Sequence, residues 1–344
     1  MRRLNGSRVG RCLASAAALT LLCAGSAVAA PGDKEEGGAR EGQEVVARAR
    51  AEAVVFEERG NGGGGPLTST SRNWSPPPCW YAPTWSPEQL RDLADAAWDP
   101  TGQTGHAAAA LGWMWNHYEQ GEPYTDFNAE EAENGMWWGP VQNPAEPDLL
   151  ERLSCTHIPF WVETGEIPEV ENALSPEVLA ELAYQRIRVP DTEIRLNPAA
   201  VDGQIVNLAT WIWADGGAYD EVSVTARLES WDIWATTTAR PTALRIDPGT
   251  EDARSHPPSG SCPIGGDGSV GAPFVRGTDE GAEPPCGLTY LRATHDGRPY
   301  SLTASVTWAI SWQGSGDTGA TLPDATFATT HELQVDEIQS IVRP

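Results

Sequence analysis

Lysine is almost missing from this chain: Lys34 is the one lysine among 344 residues. Schiff-base catalysis, Walker-type phosphate loops and Ser-Lys dyads need a lysine at the reacting group, which removes those chemistries from consideration. Basic residues are scarce altogether, 23 against 48 acidic ones, a formal net of −25. A field of that sign repels nucleic acid and anionic lipid, and neither is expected as a partner. The cysteine spacings fit no zinc motif, the histidines form no HxxxH or HxH pair, and no G-x-S-x-G elbow occurs. No cofactor is expected.

What is present begins with an export signal. Arg2, Arg3, Arg8 and Arg11 form a basic start, Leu13 to Ala24 an apolar core, and Ala27-Val28-Ala29 an A-x-A cleavage site, so residues 1–29 are read as a removable leader. Its apolar core is too short to cross a bilayer, and no later run is long enough to anchor the chain. The mature charge becomes 19 basic against 48 acidic residues, or −29, once the four leader arginines are removed from 23. A secreted, extracellular protein associated with the cell envelope is expected.

Cys12 and Cys23 leave with the leader; Cys79, Cys155, Cys262 and Cys286 remain, an even number for an oxidising compartment. Three pairings are open. The local one, Cys79 with Cys155 and Cys262 with Cys286, closes loops worth roughly 4.5 and 3.5 kcal/mol in a chain-entropy account.

Residues 30–73 are charged, then glycine-rich, and read as a disordered acidic tether, with a short amphipathic helix around Glu44 to Glu58 as an option. Residues 74–200 are rich in Trp and Pro and carry helix-start signals, Ser86-Pro87-Glu88-Gln89 and Ser175-Pro176-Glu177. Further helices are expected over Ala107 to Tyr118 and Pro147 to Leu153. From about Val201 the period changes to 2. Gln204 to Trp213, Glu221 to Leu228, Trp231 to Thr237 and Leu244 to Ile246 read as strands, with a phase slip at Glu229-Ser230 that a bulge or tight turn would produce. Asp252 to Pro285 reads as a long loop. Tyr300 to Trp312, YSLTASVTWAISW, alternates apolar and small polar residues and is expected to be a long central strand with one buried face. A Gly-rich turn over Gln313 to Pro323 and a last strand with Phe327, Thr329, His331, Leu333 and Val335 on one face follow. The fold class is therefore α+β: a helix-rich irregular domain over 74–200, then an antiparallel immunoglobulin-like β-sandwich over 201–344.

VNLATWIW at Val206 to Trp213, RPTALRIDPGT at Arg240 to Thr250, CGLTY at Cys286 to Tyr290, YSLTASVTWAISW and VDEIQSIV at Val335 to Val342 resemble a family of secreted actinomycete proteins. The C-terminal module of that family is similar to the PKD branch of immunoglobulin-like sandwiches. The PKD turn is reduced here to Asp247 and Gly249, and Leu288 stands where its histidine would be. The resemblance implies an extracellular, non-catalytic binding or spacer module.

Candidate sites lie in the first half. Trp137 and Trp138 in Gly135-Met136-Trp137-Trp138-Gly139 cannot both face one core from a strand, so one indole is expected at the surface, where exposed rings beside carboxylates hold sugars. Glu133 beside Trp137 is the alternative: a carboxylic acid kept protonated near an indole, in a glycan or peptidoglycan hydrolase with its site in residues 100–165. His106, His117 and His157 with Asp126 are one option for a metal or acid–base group, and the loop Gly266-Asp267-Gly268 with Asp279 and Glu280 is one for a calcium site. Surface or core histidines and a solvated loop are the preferred readings. The expectation is a cell-envelope binding or structural protein, with a cell-wall glycan or an envelope protein as partner.

Overall fold

A computed structural model describes residues 54–60, 64–97, 105–121, 123–295 and 297–338. The leader, and the tether up to residue 53, lie outside these. The described residues all fall within one compact unit.

In chain order the first strands are β1 (Val55–Arg59), β2 (Thr68–Ser69) and β3 (Cys79–Trp85). Helices α1 (Pro87–Ala97) and α2 (His106–Trp115) follow, then β4 (Gly135–Gln142), α3 (Leu149–Arg152), β5 (Phe160–Glu163) and α4 (Pro176–Arg186). The second half carries β6 (Arg195–Asn197), β7 (Gln204–Ile205), β8 (Ala209–Trp213), β9 (Val222–Leu228), β10 (Ile233–Asp247), β11 (Ala253–His256) and β12 (Ser261–Pro263). It ends with β13 (Gly287–Tyr290), β14 (Tyr300–Gly314), β15 (Thr318–Leu333) and β16 (Val335–Asp336).

The organising strand is β14. Leu302, Ala304, Val306, Trp308, Ile310 and Trp312 are all buried, and the residues between them face the other way. It is hydrogen-bonded along its length to β10 on one side and β15 on the other. The large antiparallel sheet runs β1-β9-β10-β14-β15-β2, with β12 also on β10. A smaller sheet, β11-β13-β8-β6, contributes Ile212, Leu288 and Tyr290 to the same core. Cys262 of β12 is bonded to Cys286, the residue before β13, with Cα atoms 5.6 Å apart, so this bridge ties one sheet to the other. Cys79 and Cys155 form the second bridge.

Local signals explain the helices. Ser86 Oγ accepts from the Gln89 amide at 3.2 Å and Gln89 Oε1 accepts from the Ser86 amide at 2.8 Å, a reciprocal capping box for α1. Ser175 Oγ caps α4 in the same way through the Val178 amide. Helix α4 lies on the large sheet, where Thr237 Oγ1 donates to the Ala180 carbonyl at 2.7 Å in a buried contact. The core thus contains Tyr81, Trp138 and Leu179 together with Val224 and Trp308. The boundary drawn at residue 200 therefore falls on no gap in the core. The first half also holds a three-stranded sheet, β3-β4-β5, beside its helices.

Other expectations are corrected. The end of the supposed tether forms β1 and β2 on the two edges of the large sheet, and Phe56 lies under the Arg186 guanidinium, 4.1 Å from it. The glycines nearby serve close approach: a Cβ on Gly65 would stand 2.1 Å from the Phe327 ring. The optional helix ending at Glu58 is excluded where it is described, because Val55–Arg59 is extended. The loop over Asp252 to Pro285 contains β11 and β12. The turn after β14 spans Ser315–Asp317 only, with β15 starting at Thr318. The phase slip at Glu229-Ser230 is a one-turn 3-10 helix that ends on Asp232 at φ 53°.

Two outcomes follow. Trp308 is fully buried and its Nε1–H has no partner among the described residues. Removing the ring opens a cavity, whereas Phe keeps most of the volume and removes the unpaired donor. Chemical denaturation should show Trp308→Ala losing about 3–5 kcal/mol and Trp308→Phe less than about 2 kcal/mol. On α4, desolvation raises the Glu181 carboxyl from 4.5 to about 7, opposed by a hydrogen bond with Trp74 and assisted by the charge of Glu177. Between those values the folded chain holds more protons than the unfolded one, so stability falls as pH rises through that window. Melting temperatures measured from pH 4 to 8 should therefore decline in the wild type relative to Glu181→Gln; parallel profiles would contradict this origin.

Candidate functional site

The tryptophan pair does not supply an exposed ring. Adjacent residues of β4 point to opposite faces, and here each face has its own core. Trp137, at 0% exposure, sits among Tyr118, Tyr124 and Trp161, with centroids 5.1, 4.6 and 5.5 Å away, and its Nε1–H donates to the Phe127 carbonyl at 2.9 Å. Trp138, also at 0%, faces the main core against Trp231. The expectation that one would reach solvent is corrected by the presence of a second cluster, formed by Leu90, Ala94, Tyr118, Phe127 and Trp137. Glu133 is exposed and does not share the buried setting of Trp137.

The histidines are not brought together. His106 is exposed, His117 stacks on Trp113 at 5.0 Å, and His157 packs edge-on to Tyr81 at 5.4 Å. Asp126 is ion-paired with Arg91. Asp267 accepts from the Ser269 amide and hydroxyl, and these bonds hold its carboxyl below the usual range. Asp279 accepts from the Val275 amide and Glu280 from the Gly277 amide, each within its own loop. Among the described residues no group of three or more His, Cys, Asp or Glu side chains is placed to hold a metal.

Two concavities of similar size remain. One, about 410 Å³, lies at the start of α4 and is bordered by Glu169, Glu177 and Glu181, a single kind of charged group. The other, about 400 Å³, lies on the outward face of the small sheet and brings together chemically different groups. The second is the candidate site.

Register builds it. Asn197, Trp211, Gly287 and His256 stand in one row across β6, β8, β13 and β11, and Ala209, Thr289 and Arg254 in the next. Gly287 serves close approach between Trp211 and His256: a Cβ there would be 2.1 Å from the Thr210 carbonyl oxygen and 2.8 Å from Pro284 Cγ. His256 is nearly buried, and its Nε2 is 3.1 Å from Thr289 Oγ1, while its Nδ1 is 4.0 Å from the Glu283 carboxylate. The segment before Cys286 overhangs the floor, with Phe274 edge-on to Trp211 at 5.6 Å. Leu208 and Leu291, 45% and 44% exposed, stand at the mouth. Arg254 is exposed and, among the described residues, has no carboxylate within 4.0 Å.

Such a cleft can hold a small ligand between an aromatic and aliphatic wall and a set of charged and hydrogen-bonding groups on rigid strands. Sequence reasoning passed over it because β11 lay in a stretch read as loop. The available signal was the alternation Arg254-x-His256, matched by Gly287-x-Thr289 behind Cys286.

These features define a disulfide-linked protein of mainly antiparallel β-sheet with a cleft on its smaller sheet. Comparison with family models, curated proteins and solved structures finds no match. Among the described residues no helix is long and apolar enough to cross a membrane.

The roles of Trp137 and Glu133 separate in stability. Trp137→Ala should cost about 3–5 kcal/mol and Glu133→Gln less than about 0.5 kcal/mol in denaturant unfolding, because one removes a buried ring and the other changes an exposed group.

Proposed function

We propose that the chain is a secreted cell-envelope protein with a non-catalytic binding or structural role, and that its ligand site is the cleft over the small sheet. The observation that carries this reading is the convergence of Trp211, Arg254, His256 and Thr289 on one cavity of about 400 Å³, floored by strands and braced by the Cys262–Cys286 bridge. Binding groups on paired strands are held more firmly than groups on loops, which favours recognition. The leader-like start, the even number of mature cysteines and the acidic charge support an extracellular setting, and two disulfides are compatible with it. The two sheets around one core are read as an immunoglobulin/PKD-like module, in line with the sequence resemblance. A cell-wall glycan or an envelope protein is the partner class. The hydrolase alternative over residues 100–165 has less support, since Glu133 is exposed and Trp137 is committed to packing.

Purified protein should be retained by an isolated envelope fraction, and Ala209→Trp, which fills the cleft, should lower retention about tenfold, roughly 1.4 kcal/mol. Equal retention of that variant, or no retention of either, would contradict the proposal. So would a measurable hydrolysis of cell-wall glycan that Glu133→Gln abolished.

A further inference from the structure

Opposite charges line this cleft without neutralising one another. The Arg254 guanidinium has no carboxylate within 4.0 Å among the described residues, although the chain has 48 acidic residues and only 23 basic ones. Three carboxylates, Asp279, Glu280 and Glu283, border the same cavity, and Asp279 already accepts from the Val275 amide at 2.8 Å. Glu283 is 80% exposed, and its nearest basic atom is His256 Nδ1 at 4.0 Å. Among the described residues, Glu280 accepts from a backbone amide alone, that of Gly277 at 3.2 Å. The guanidinium is a planar fork suited to a carboxylate, and a carboxylate is suited to an ammonium group. A ligand that satisfies both carries both charges.

The rest of the lining narrows the class. Trp211, Phe274, Leu208 and Leu291 give the cavity an apolar wall, and Thr289 Oγ1 and the Asn197 and Asn207 side chains add neutral polar groups. A volume of about 400 Å³ accommodates a molecule of about two amino-acid residues. We infer that the cleft binds a short zwitterionic peptide with both termini free and an apolar side chain, its carboxylate on Arg254, its ammonium group towards Glu280 and Glu283, and its side chain on the Trp211 wall. This rests on the reading of the cleft as a ligand site.

The test is calorimetric titration of the full mature chain with alanyl-leucine, its N-acetylated form and its C-terminal amide. The free dipeptide should bind, and each blocked form should bind at least tenfold more weakly. Arg254→Gln should weaken the free dipeptide about tenfold and leave the amide unchanged. Glu280→Gln combined with Glu283→Gln should do the same for the free and acetylated forms. All three substituted residues are exposed or part-exposed at the cleft, so unchanged melting temperatures will verify folding. Blocked forms that bind as well as the free dipeptide, or a free dipeptide that does not bind, overturn the inference. If in those cases Ala209→Trp still releases the protein from the envelope fraction, the cleft remains a ligand site for something else. Dipeptide binding that survives Ala209→Trp places the peptide outside the cleft and overturns the inference, whereas the reading of the cleft as a ligand site falls only if envelope retention also survives that substitution.

Discussion

The buried face of β14 is the constraint on which the described structure depends. A strand paired on both sides from Thr303 to Gly314 has no freedom to slip, because a shift of one residue would turn Trp308 and Trp312 to solvent and bring Thr307 and Ser311 into the core. Each large apolar side chain kept inside contributes about 1.5–3 kcal/mol. With that register set, β10 and β15 are placed, β9 follows β10 through its tight turn, and α4 covers the sheet through the Thr237–Ala180 contact. The smaller sheet then closes the core, joined at one point by Cys262 and Cys286.

The cleft is a by-product of that closure. Strands β8 and β13 turn Ile212, Leu288 and Tyr290 inward, so period 2 turns Trp211, Gly287 and Thr289 outward. The bridge that joins the sheets also pins the segment carrying Pro284 and Glu283 over this outward face. Fold and candidate site therefore share one mechanical element. The second cluster packs Leu90 and Ala94 of α1 with Tyr118 and Phe127 against Trp137 of β4.

Much of this was legible in the residues. The capping box at Ser86 and the N-cap at Ser175 rest on interactions within four residues, and the β14 alternation is long enough to be unambiguous. The fate of Gly65 was not legible, because glycine composition reads the same whether it gives freedom or permits a ring such as Phe327 to approach. The Trp137–Trp138 pair was misjudged for a related reason: one apolar face per strand is the common case, and nothing local announces a sheet with a core on each side. Glu133 drew notice through its neighbour in sequence. The cleft escaped notice because its residues come from four short strands that only pairing brings into rows.

The central claim is that residues on both sides of position 200 share one core. Differential scanning calorimetry of the mature, oxidised chain tests it most directly. The account predicts one cooperative transition with equal calorimetric and van't Hoff enthalpies; two separable transitions, one assignable to residues 201–344 alone, would contradict it.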